Sequence, residues 1–201
     1  MSTSETLICS RALQKLGADP IQALTDNLDR ARAMNTAYAS VRDAELRRRR
    51  WKFSIKRASL PALAAAPDSD FSYQYQVPND FLRLIEGGDI VSLPDLSDYR
   101  SMSSELWSVE GRRILTDLGA PLRIRYIAQI TDVSMFDSTF CESLSSRLAY
   151  ECCEKITQSS SKKADLIADY RMSIREAIQA NALERAPNSI ADDSWVMARL
   201  Q

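Results

Sequence analysis

The sequence predicts an α+β fold, a four-helix-bundle-like body with a small antiparallel β module inserted between helices 2 and 3. Two observations predict this fold class. Apolar residues recur at helical spacing over the first 50 residues and again after about residue 136, whereas residues 52 to about 130 contain short alternating or β-branched runs. We therefore expect residues 1–51 and 132–186 to form the helical body, 52–131 the β module and 187–201 an extended C-terminal arm.

The first two helices are predicted from their periodicity and end signals. An amphipathic helix over residues 4–16 has Ser4 as its N-cap and Gly17 as its C-terminal stop. The second helix is expected to begin near Asp26 or Asn27 and to end near Arg50, with apolar residues on one face.

The end of the second helix is densely basic. Residues 42–57 contain eight basic and two acidic side chains, including the run Arg47, Arg48, Arg49 and Arg50. Residues 79–110 have the opposite bias, with seven acidic and two basic side chains. One interpretation of the arginine run is a solvated helix end, which the helix dipole favours.

The β module is predicted as a series of short strands separated by Gly, Pro, Asn and Asp turns. Glu110-Gly111 is the best hairpin turn, because alternating apolar runs flank it. The predicted strands are Tyr73–Val77, Leu82–Glu86, Ile90–Leu93, Leu106–Val109, Arg112–Thr116 and Leu122–Ala128.

Two closing helices are predicted from about residue 136, joined at a polar break at Ser159–Ser161. Such a short connection favours antiparallel packing. Trp51, Phe53 and the ladder that starts at Phe140 are interpreted as core residues. The arm ends in an apolar cluster that a freely solvated terminus would not be expected to contain.

Composition excludes several function classes. The chain has 201 residues, no histidine, only five glycines and a formal charge of −1. Without histidine, Ser-His and Cys-His catalysis is lost, and the glycines lack the spacing of a phosphate-binding loop. The four cysteines have no metal-ligand spacing, so buried thiols in a reducing compartment are expected, with no metal and no cofactor. Neither a secretion signal nor a membrane span is expected.

Several segments, taken in order, resemble one known family. The first helix ends in Leu13–Pro20, the second runs into Trp51-Lys52-Phe53, and Val77–Leu82 reads VPNDFL. The hairpin, the strand around Tyr126-Ile127 and the two closing helices follow. This order resembles the head-to-tail adaptor, or tail tubular protein A, family of short-tailed (podovirus-type) bacteriophages.

The resemblance implies a structural virion protein and not an enzyme. Adaptors of this kind form a dodecameric ring between the portal protein and the tail nozzle (tubular protein B-like) protein, and DNA passes through the ring without sequence-specific binding. The chain would assemble in the host cytoplasm and reside at the head–tail interface. By analogy, the C-terminal arm would dock on the portal through Trp195, Val196, Met197, Arg199 and Leu200; folding back on its own bundle is the alternative. In the same setting Arg47, Arg48, Arg49 and Arg50 would contact a neighbouring subunit, the portal or DNA phosphates, with the solvated helix end as the alternative.

Two other functions stay open at this point. Six carboxylates could supply a glycosidase-type pair, namely Asp80, Glu86, Asp89, Asp95, Glu105 and Glu110. The chain could also be a non-viral helical module that binds a partner helix in a groove. Assembly state separates these classes, because a ring needs head-to-tail contacts that close.

Overall fold

The computed structural model describes residues 4–87 and 107–183. Over these ranges the chain is α+β, as predicted, with four helices and two three-stranded antiparallel sheets. The predicted strand Ile90–Leu93 and the C-terminal arm lie outside the described residues. The helices are α1 (Glu5–Lys15), α2 (Asp29–Arg48), α3 (Ser138–Thr157) and α4 (Ser160–Leu183).

The end signals of α1 operate as predicted. The Ser4 side chain accepts a hydrogen bond from the Leu7 backbone N–H at 3.1 Å, and Gly17 takes the left-handed conformation with φ of +71°. The apolar face that the helical spacing predicts for α1 is buried throughout. It comprises Ile8, Cys9, Ala12, Leu13 and Leu16.

Helix α2 is shorter at both ends than predicted. The Asp26 carboxylate accepts hydrogen bonds from the backbone of Gln22 and Ala23, so it closes the preceding turn and does not cap the helix. At the other end, Arg49 is extended, with φ of −129° and ψ of 163°. The helix therefore begins at Asp29 and ends at Arg48.

Helix α3 is the centre of the helical body and packs against α1, α2 and α4. The predicted i+4 ladder is buried at Phe140, Leu144, Leu148 and Cys152. For α4 the periodicity predicts an apolar face of Ala164, Ile167, Tyr170, Ile174 and Ala177-Ile178. The buried face is slightly rotated from it, because Leu166 is buried and Ala164 is exposed.

The strands form two separate sheets. They are β1 (Ile55–Leu60), β2 (Tyr73–Gln76), β3 (Phe81–Gly87), β4 (Ser108–Glu110), β5 (Arg113–Thr116) and β6 (Leu122–Ala128). One sheet has the order β1-β6-β3 and the other β2-β5-β4, so β3 and β4 are edge strands among the described residues. The predicted β4–β5 hairpin is confirmed, but its turn is Gly111-Arg112, one residue later than the predicted Glu110-Gly111: Glu110 pairs with Arg113, and Gly111 and Arg112 both have positive φ, as a type I′ turn requires.

Strand β1 was absent from the sequence prediction. Lys56 and Arg57 place this segment in the basic stretch that follows α2, which gave no sign of a strand. The strand nevertheless pairs along its full length with β6. Sheet and helices share one buried cluster, which includes Met34 of α2, Ile124 of β6 and Phe140 of α3. The β module is thus packed on the same core as the helices.

Candidate interaction surface

The predicted arginine run lies at the exposed end of α2, where the helix stops and the chain turns towards β1. All four arginines, Arg47 to Arg50, are exposed. The turn itself is anchored. The Trp51 indole N–H donates to the Glu45 carbonyl at 3.0 Å, and the Asn181 amide of α4 donates to the Arg50 carbonyl at 3.1 Å. The basic end is therefore held between the core and the last turn of α4.

Trp51 is the main anchor of this turn. It is 1% exposed, and its ring meets Phe140 edge-on with centroids 4.9 Å apart. Phe53 contacts Phe140 in the same way at 5.1 Å. The prediction that these aromatic residues belong to the core is confirmed.

Arg48 differs from the other three arginines because it joins a buried polar network. Its guanidinium donates to the Tyr170 hydroxyl at 3.3 Å, and Tyr170 donates to the Glu45 carboxylate at 2.7 Å. Arg147 of α3 lies 3.8 Å from the same carboxylate. Burial and the hydrogen bond to Glu45 raise the pKa of Tyr170 to about 12. This network joins α2, α3 and α4, so Arg48 has a structural role.

A further arginine, Arg83 of β3, lies close to the run. Burial, together with the positive charges of Arg50, Arg47 and Arg49, lowers the pKa of Arg83. Arg48 pairs with Glu45, but among the side chains that the structure describes no carboxylate forms an ion pair with Arg47, Arg49, Arg50 or Arg83. We call Arg47, Arg49, Arg50 and Arg83 the arginine cluster. Such concentrated, unneutralised charge attracts an anionic partner.

Beside the arginine cluster lies a groove of about 470 Å³ between the two sheets. Its apolar lining comes from the edge strands β3 and β4 and from the residue that precedes β4, and its basic lining includes Arg47 and Arg83. The Arg112 guanidinium is already engaged, since it donates to the Pro78 carbonyl at 2.9 Å. The apolar lining residues are Phe81, Leu82, Leu84, Trp107 and Val109.

A second depression, of about 660 Å³, lies near the other end of α2. Its lining includes both acidic and basic side chains, among them Asp19, Asp29, Arg30 and Lys155. Asp19 and Arg30 approach to 4.0 Å. Charges of both signs meet here, so this depression lacks the one-signed field of the arginine cluster.

The candidate hydrolase carboxylates do not form a described acid–base pair. Burial opposes the charge on Asp80, but hydrogen bonds from Lys56 at 2.7 Å and Tyr126 at 2.9 Å outweigh it and lower the pKa of Asp80. A general acid requires the opposite shift. Glu110 is exposed and accepts from Ser108. The side chains of Glu86, Asp89, Asp95 and Glu105 lie outside the described residues.

The four cysteines are buried thiols, as predicted. Burial raises the pKa of Cys9 to about 12 and that of Cys141 and Cys152 to about 11. Such thiols are poor nucleophiles and poor metal ligands at neutral pH. Across residues 4–87 and 107–183, no group of three His, Cys, Asp or Glu side chains could hold a metal ion. No helix in these ranges is long and apolar enough to span a bilayer.

Scans against protein-family models and a search of curated proteins found no match. The function must therefore be inferred from the chain's own fold and surface.

The predicted site residues divide into two groups. Arg47, Arg48, Arg49 and Arg50 lie together on one surface, whereas Trp195, Val196, Met197, Arg199 and Leu200 lie outside the described residues. Sequence reasoning missed Arg83 and Trp107, which β3 and the start of β4 bring beside the run. The only local signal for Arg83 was its place as one of two basic residues in a mainly acidic stretch.

Proposed function

We propose that this chain is a structural head-to-tail connector of a short-tailed phage virion and not an enzyme. In this role it forms a ring, dodecameric by analogy, between the portal and the tail nozzle protein, and DNA passes through the ring. The observation that carries the proposal is the architecture. Two helices, a β module and two further helices follow one another in the order of the adaptor family that the sequence resembles.

The surface supports a role in protein–protein contact. Within the arginine cluster, Arg47, Arg49 and Arg50 are exposed and Arg83 is partly buried, the cluster lacks described carboxylate partners, and it adjoins an apolar groove. A charged patch beside apolar side chains is typical of an interface in which charge directs the approach and burial stabilises the complex. The acidic residues 79–110 of a neighbouring copy are the complementary surface that we propose within the ring.

The alternative functions make different predictions. A carboxylate-based glycan hydrolase would need a paired acid and base, and Asp80 is held by Lys56 and Tyr126. A non-viral helical binding module would stay monomeric or form a two-fold dimer, even with a portal present. Assembly on the portal therefore separates the connector from both alternatives.

Charge reversal of the exposed arginines is expected to block ring closure on the portal. The variant carries Arg47→Glu, Arg49→Glu and Arg50→Glu and keeps Arg48, because Arg48 contacts Tyr170. Each replacement puts a negative charge where an acidic neighbour is expected, and like charges at an interface are repulsive. Sedimentation velocity of the variant mixed with the portal encoded in the same genome should show no species larger than the portal alone.

The matched control reverses three exposed basic residues on other parts of the surface, Arg11 of α1, Arg32 in the first turns of α2 and Lys155 near the end of α3. It changes the net charge equally, so it is expected to assemble as the parent chain does. Assembly of both variants to the parental mass would refute an electrostatic contact at the end of α2.

A further inference from the structure

The groove beside the arginine cluster is open to a strand-like segment. Its walls include β3 and β4, and each is an edge strand with one unpaired side among the described residues. Unpaired strand edges accept an extended segment through main-chain hydrogen bonds. Trp107 and Phe81 are only partly buried there, and Val109 is 39% exposed. The groove thus offers main-chain, apolar and cationic contacts at one place.

The described chain ends next to this groove. Helix α4 stops at Leu183, two residues after Asn181, whose side chain accepts from the Lys52 N–H at 3.0 Å and donates to the Arg50 carbonyl. Arg47, three residues before Arg50 in the chain, lines the groove together with Arg83. Residues 184–201 therefore start beside the arginine cluster.

Residues 184–201 are long enough to reach the groove and have complementary chemistry. The nine residues from 184 to 192 span up to about 30 Å when extended. Two adjacent carboxylates, Asp192 and Asp193, come just before the apolar side chains of Trp195, Val196, Met197 and Leu200. Carboxylates can pair with the arginine cluster, while a large aromatic side chain fills an apolar groove.

We infer that, in the unassembled chain, residues 184–201 bind the groove of the same molecule, with Asp192 and Asp193 against the arginine cluster and Trp195 on the apolar lining. A segment tethered this closely has an effective concentration in the millimolar range, which favours its own groove over that of a second copy. The inference does not depend on the connector proposal. A partner that captured the same segment would uncover the groove and its arginines.

Amide hydrogen exchange of the full chain tests this inference. Docking of residues 184–201 should protect edge amides of β3 and β4, and Trp195→Ala with Leu200→Ala should speed their exchange about tenfold. The matched control is Met172→Ala, which removes an exposed apolar side chain from α4 (Met172 is 63% exposed). It should leave those amides unchanged.

A charge-reversal pair separates a specific contact from general loosening. Asp192→Arg with Asp193→Arg should accelerate exchange at the same edge amides, because it places cations against the arginine cluster. Adding Arg47→Glu and Arg83→Glu to that variant should restore protection. If Arg47→Glu with Arg83→Glu restores protection and Arg171→Glu with Arg175→Glu does not, residues 184–201 and the arginine cluster are in contact.

Three results would overturn the inference. The first is unprotected β3 and β4 edges in the parent chain, or protection that survives all changes in residues 184–201. The second is protection that Leu96→Ala abolishes while Trp195→Ala with Leu200→Ala does not, since residues 88–106 would then occupy the groove. The third is protection that increases with protein concentration, which would assign the occupant to a second copy.

Discussion

Replacing Trp51 with alanine is expected to lower the free energy of unfolding by about 3–5 kcal/mol, the range for removing a large buried aromatic side chain. The Trp51 ring is packed edge-on against Phe140. The substitution leaves a cavity in the core and removes the donor to the Glu45 carbonyl. Urea unfolding followed by circular dichroism measures the loss.

Trp51→Phe is the control for this prediction. Phenylalanine keeps much of the buried area and loses the indole N–H, so we expect a smaller cost of about 1–2 kcal/mol. An alanine variant as stable as the parent would contradict the assignment of Trp51 to the core. Because Trp51 directly follows Arg50, the alanine variant should also loosen the turn that carries Arg49 and Arg50.

Replacing Glu45 with alanine is expected to cost about 2–4 kcal/mol, between the loss of one charged hydrogen bond and the loss of a buried ion pair. Glu45 is 1% exposed and receives the Tyr170 hydroxyl at 2.7 Å. Its removal leaves Tyr170 without this acceptor and takes a counter-charge from Arg147, which still pairs with Glu151 at 2.8 Å. Equilibrium urea unfolding at pH 7 is the measurement.

Two variants make the Glu45 result specific. Tyr170→Phe removes one hydrogen bond and should cost about 1 kcal/mol, and Arg48→Gln should cost less because Arg48 is half exposed. If Glu45→Ala were no more destabilising than Arg48→Gln, the network would not hold α2, α3 and α4 together.

Local signals made much of the helical fold predictable. The Ser4 cap, the Gly17 stop and the i+4 ladder from Phe140 each act within a few residues, so the sequence alone marks them. The β4–β5 hairpin was predictable for the same reason, since Gly111 marks a tight turn, although the turn residues are Gly111-Arg112 and not Glu110-Gly111.

Features that depend on distant parts of the chain were not predictable. Strand β1 contains Lys56, and its strand character comes from pairing with β6, about 70 residues away. Arg83 joins the arginine cluster only because sheet and helix pack together. The ends of α2 were misplaced because Asp26 caps the turn before it and Arg49 is extended. The groove likewise needs two strand edges from different sheets.

The connector proposal and the groove inference rest on different observations. The first depends on the order of helices and strands, and the second on the arginine cluster, the strand edges and the point where α4 ends. Loss of docking by residues 184–201 would leave the connector proposal intact. A monomer in isolation is compatible with either.

Negative-stain microscopy of the chain mixed with the portal protein from the same genome tests the central claim most directly. The connector account predicts a closed ring of this chain seated on one face of the portal, with a mass increment equal to a whole number of chains and, by analogy, to twelve. A portal that remains bare at saturating chain, with the chain still monomeric, would contradict it.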